Sequence, residues 1–188
     1  MTPSRSSRSL QQFTATLAVL AVLGGFLFAL APAQSPRAHA ATASYVVISE
    51  AQLAGGTTTD EFVELYNPTG SPINMTGWRL SKKTSSGAQS NLLTTFPAVS
   101  IPAYGFFLIA HANYDGATVA DALYSTTQSL ANDNTVILYS DAGTTVVDKV
   151  GFGTATDREG VAVANPAANG SVERKPGASI PAGGNGED

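Results

Sequence analysis

Asp60, Glu61 and Glu64 stand within five positions of one another, close enough to raise the question of a calcium site or an acid–base pair. Asn132-Asp133-Asn134 forms a second polar cluster. Neither follows the Asp-x-Asp-x-Asp-Gly spacing of a calcium loop, so turn capping and solvation account for both. His111 lies near Asn113, Tyr114 and Asp115, and by residue type alone could enter a Ser–His–Asp arrangement. No Gly-x-Ser-x-Gly elbow accompanies it, and a histidine after a strand reads as a solvated loop residue. There is no Walker loop, and Gly55-Gly56 and Gly183-Gly184 are too bare to signal phosphate binding. No catalytic, cofactor-binding or metal-binding residue is assigned.

Several side chains bear on binding. Trp78, the single tryptophan, reads as a core ring bridging two sheets rather than an exposed stacking platform. Alternation puts Glu64 on one face with Phe62 and Tyr66, and Glu61 on the other with Val63, Leu65 and Asn67. One face or the other must hold a carboxylate among apolar groups, which is costly without hydrogen bonds. Glu64 is expected to be a structural acceptor for loop N–H groups or to sit near solvent, with Glu64→Ala lowering stability. Arg79, Lys82 and Lys83 form the one basic cluster and read as a solvated hairpin tip. Tyr104, Tyr114 and Tyr124 are the rings a carbohydrate-binding module would use. The sequons Asn74-Met75-Thr76 and Asn169-Gly170-Ser171 matter only in a eukaryotic secretory pathway.

These residues need a scaffold. The chain has 188 residues, no cysteine and a net charge of −4, which excludes disulfide frameworks and thiol chemistry and argues against nucleic acid as a partner. Residues 1–40 differ from the rest. Arg5 and Arg8 precede an uncharged stretch from Ser9 to Pro36 with an apolar centre, and Ala38-His39-Ala40 is a small-x-small exit. This predicts a signal peptide cleaved after Ala40, or else a retained anchor helix, with the remainder secreted or at the cell surface. Without the leader, seven basic and fourteen acidic side chains remain. An exported chain without cysteine fits a bacterial envelope or secreted protein.

From residue 41 the periodicity is that of strands: 45–50, 61–67, 73–75, 78–81, 92–96, 106–110, 136–139, 146–152 and 171–174. Ser140-Asp141-Ala142-Gly143-Thr144 is a hairpin loop between two of them. Short strands with turn signals roughly every 8–12 residues predict an all-β sandwich or barrel. Ala117–Leu130 has the weakest pattern and suits a short helical turn. A Pro/Gly-rich tail or linker follows at 176–188.

Val47-Ile48-Ser49-Glu50, Asp60 to Pro68 (Asp-Glu-Phe-Val-Glu-Leu-Tyr-Asn-Pro) and Met75-Thr76-Gly77-Trp78-Arg79-Leu80 together resemble the opening of a lamin tail domain. Phe96-Pro97, Ile101 to Gly105, Leu130-Ala131-Asn132, Asp141-Ala142-Gly143 and Val147-Asp148 match its later steps in order, so the resemblance spans 45–174 within a domain of 41–175. It implies an immunoglobulin-like β-sandwich and a non-enzymatic extracellular interaction or adhesion module, with an unidentified protein partner and no cofactor. Such modules accompany secreted nucleases and phosphatases. The rival readings are a carbohydrate- or calcium-binding module and the front part of such an enzyme. The family usually closes on an acidic stretch with Asp-Phe, and Gly186-Glu187-Asp188 offers no aromatic residue. If a closing strand is missing, the edge it would cover is open to another chain.

Overall fold

The computed structural model describes residues 42–175. The leader at 1–40 and the tail at 176–188 lie outside the described residues. The β-branched and aromatic runs form eleven strands: β1 (Val47–Gln52), β2 (Phe62–Tyr66), β3 (Ile73–Asn74), β4 (Arg79–Lys83), β5 (Gln89–Leu93), β6 (Ser100–Ile101), β7 (Phe106–His111), β8 (Ala122–Tyr124), β9 (Thr135–Ser140), β10 (Thr145–Gly151) and β11 (Ser171–Glu173). One sheet runs β11-β1-β2-β7-β8 and the other β10-β9-β4-β5, with β3 and β6 paired beside them. Among the described residues, no helix is long and apolar enough to cross a membrane.

Alternation selects the core. Val63 and Leu65 of β2, Phe107 and Ile109 of β7, Leu80 of β4, and Val136 and Leu138 of β9 all point inward and are buried together. Burying each such side chain is worth roughly 1.5–3 kcal/mol, which is why the two sheets stay face to face. Trp78 does not sit at the centre as expected. It is half-buried at the core margin, where its N–H donates to the Met75 carbonyl (3.0 Å) and its carbonyl accepts from the Phe96 N–H (2.8 Å). The fully buried rings are Tyr66, Tyr124, Phe96 and Phe152.

Two local expectations change. Ala117–Leu130 contains a strand rather than a helical turn: β8 pairs in parallel with β7, with Ala122 opposite Ile109 and Tyr124 opposite His111. Three residues are too few to show a period. Lys82 and Lys83 also lie inside β4, opposite Ser90 and Gln89, and the turn is only Thr84–Ala88. They are half-buried and held. Lys83 and Lys149 each reach Asp157 at 2.8 Å, and Lys82 Nζ donates to the Ser129 carbonyl. The hairpin at 140–144 forms as read, through Asp141, Ala142 and Gly143 at positive φ (50°, 56° and 88°).

The first sheet is fastened to β10 at one end. Asp148 is buried; its Oδ2 accepts the Ile48 N–H (2.6 Å) and its Oδ1 the Lys149 N–H (2.8 Å), while Arg174 Nη2 lies 2.9 Å from Oδ2. One carboxylate thus links β1, β10 and the residue after β11. Removing it would strand a buried N–H and a half-buried guanidinium. Asp148→Ala is therefore expected to lower unfolding free energy by about 3–5 kcal/mol in a urea titration. A loss below about 1 kcal/mol would show that the clasp is dispensable.

Candidate functional site

The inward face of β2 begins with a charged group. Glu61 immediately precedes β2, is fully buried and shares its face with Val63 and Leu65. Its Oε2 accepts the Leu130 N–H at 2.7 Å, which fastens the loop after β8 to the sheet. Its backbone carbonyl accepts the His111 N–H (3.0 Å), and Tyr124 lies beside His111 in register. Three strands therefore bring Glu61, His111 and Tyr124 together inside the sandwich. The His111 and Tyr124 rings meet edge to face, with centroids 5.5 Å apart.

His111 is not the solvated loop residue expected. It is the last residue of β7 and fully buried. Its Nδ1 accepts the Asn113 N–H (2.9 Å), so in the neutral ring the proton sits on Nε2. That Nε2, Glu61 Oε1 and the Tyr124 hydroxyl are all buried and complete no hydrogen bond of their own. Burial pushes the Glu61 carboxyl from 4.5 up to about 7, opposed by the Leu130 N–H, the nearby Tyr124 hydroxyl and the Lys82 charge. Burial and the Glu61 charge push the Tyr124 phenol far up. The cluster has the residue types for proton transfer, and all three side chains are buried in the core.

The structural role expected of Glu64 belongs to Glu61. Glu64 lies on the outer face, half-buried, and accepts the Ser49 hydroxyl at 2.8 Å. Asp60 accepts the Gly56 N–H (3.1 Å). Asp133 accepts the Thr154 N–H (2.8 Å) and an Asn165 Nδ2 hydrogen (3.2 Å), and these bonds hold its carboxyl below the usual range. Among the described residues, no group of three His, Asp or Glu could hold a metal ion. Of the three tyrosines, Tyr124 is buried, Tyr114 is half-buried against Phe62, and Tyr104 is exposed. A groove of about 300 Å³ opens between β1, β10 and β11, walled by Val150, Val161, Val163 and Val172.

The family model for the lamin tail domain matches residues 39–154. The chain belongs to the lamin tail domain family. Lamin tail domains are non-catalytic, immunoglobulin-like domains, which agrees with the all-β sandwich seen here. A search of curated proteins gives no match. In this lamin tail domain β11 and Arg174 lie beyond the matched residues, yet Arg174 holds Asp148.

Two outcomes follow for the glutamates. A carboxyl raised in the folded state stabilises below its unfolded value and loses that contribution as pH rises through its folded value. Wild-type stability should therefore fall by of order 2 kcal/mol between pH 4.5 and pH 8, and Glu61→Gln, which keeps the acceptor for Leu130, should flatten that fall. Identical urea midpoints against pH for both proteins would contradict the assignment. Glu61→Ala should cost about 3 kcal/mol and Glu64→Ala less than about 1 kcal/mol by thermal denaturation; the reverse order would return the structural role to Glu64.

Proposed function

We propose that this lamin tail domain is an exported, non-enzymatic module that makes protein contacts or adhesion at or outside the cell surface, as an accessory to a secreted enzyme. The observation that carries the reading is the placement of its chemistry. Glu61, His111 and Asp148 are buried and committed to holding strands and loops, whereas Tyr104, Phe106 and Leu123 expose apolar surface. Residues that work inward cannot turn over a substrate, and rings that point outward can meet a partner. Export is supported by the basic start, apolar centre and small-residue exit of the leader. The net charge after its removal disfavours nucleic acid.

The test uses the protein expressed in full and recovered from outside the cell. Its mass should correspond to a chain beginning at Ala41, and assays for phosphodiester, phosphomonoester, glycoside and peptide hydrolysis should be blank. A photo-cross-linker at Phe106 or Leu123 should retain one defined protein that a cross-linker in the Thr84–Ala88 turn does not. Turnover in any of the assays, abolished by His111→Ala in a protein that still folds, would overturn the reading.

A further inference from the structure

The outer face of the five-stranded sheet carries a row of carboxylates beside exposed apolar side chains. Strand register sets Glu173 opposite Glu50 and Glu50 opposite Glu64, so three carboxylates form a row across β11, β1 and β2. Like charges directly opposite one another cost roughly 0.2–1 kcal/mol per pair. Burial pushes the Glu64 carboxyl up, the Ser49 hydroxyl opposes this, and Glu50 and Glu173 add to it. Glu50 and Glu64 accept hydroxyl hydrogens from Ser171 and Ser49, and among the described residues no cation pairs with either.

Apolar surface flanks the row. Phe62, one step along β2, packs edge to face on Tyr114 with centroids 5.9 Å apart. Tyr66, one step the other way, lies against Phe106 at 4.6 Å. Phe106 is 47% exposed, Leu123 56% and Tyr104 40%. Carboxylates beside aromatic rings suit lysine and arginine side chains, whose heads pair with the acids while their stems and charge lie over the rings. Among the described residues no three His, Asp or Glu could hold a metal ion, and carboxylates on three neighbouring strands are spaced for separate side-chain cations. A second copy is a poor occupant, because fourteen acidic side chains outnumber seven basic ones after residue 40, and three of the seven, Lys83, Lys149 and Arg174, are already paired with Asp157 and Asp148.

We infer that this face docks a basic segment of a partner protein, its lysine or arginine side chains on Glu50, Glu64 and Glu173 and its apolar side chains on Phe106 and Leu123. The inference rests on the interaction-module reading and adds the face and the partner's chemistry.

The probe is a short peptide alternating Lys and Leu, with a Glu–Leu peptide as control, titrated calorimetrically into the full chain. The Lys–Leu peptide should bind, and binding should weaken as salt is raised. Glu50→Gln/Glu64→Gln/Glu173→Gln should weaken it by about tenfold without lowering the melting temperature, since like-charge repulsion is relieved. Asp141→Asn, in the hairpin between β9 and β10, should leave it unchanged. Binding that survives the triple substitution, or equal binding of the Glu–Leu peptide, would overturn the proposal. So would displacement of the peptide by Ca²⁺, or self-association lost in the triple variant, since each names a different occupant. A partner cross-linked elsewhere, with no Lys–Leu binding, would remove this face and leave the interaction reading in place.

Discussion

A carboxylate that accepts a main-chain N–H from a separate segment is the contact on which this sandwich depends. Asp148 accepts Ile48, Glu61 accepts Leu130, Asp121 accepts Leu108 and Asp133 accepts Thr154, each at 2.6–2.8 Å. The Ile48 and Leu130 bonds are buried, and a buried donor without a partner costs about 1–3 kcal/mol. Two short-stranded sheets joined by long loops leave many such donors. An acidic chain can supply the acceptors, and four of its fourteen carboxylates do so here.

The same economy separates fold from function. Burying Glu61 and Asp148 penalises their charged forms, and burial is the leading influence on both carboxyls. The sandwich retains them because their hydrogen bonds hold segments that apolar packing alone does not place. In the Glu173–Glu50–Glu64 row, Glu50 and Glu64 accept side-chain hydroxyls rather than main-chain N–H groups. They stand in unfavourable register on a surface that also exposes aromatic and aliphatic side chains. A family of non-catalytic sandwich domains is consistent with an interior given to closure.

The strand pattern is readable because runs of six and seven residues rich in β-branched and aromatic types, such as Phe106–His111 and Thr145–Gly151, are long enough to stand out between turn signals. It fails for β6 and β8, which have two and three residues and owe their existence to neighbouring strands. Alternation also shows that Glu61, just before β2, and Glu64 within it lie on opposite faces, without showing which face is inside. That choice is made by the opposing sheet, through Leu80 and Leu138. His111 was misread because the loop-like sequence after it hides its pairing with Tyr124. Lys82 and Lys83 read as solvated from sequence because their partners in space, the Ser129 carbonyl and Asp157, lie 47 and 74 residues further along the chain.

Amide hydrogen exchange at Leu130 and Ile48 tests the central claim most directly. Leu130 lies in a loop and Ile48 near the start of a strand, where ordinary amides exchange through local opening. If buried carboxylates close the sandwich, both amides exchange only as slowly as those of Val63 and Ile109 in the core, and Glu61→Ala releases Leu130 while Ile48 stays protected. Rapid exchange of both amides in the wild-type protein, with the core strands still protected, would contradict the account.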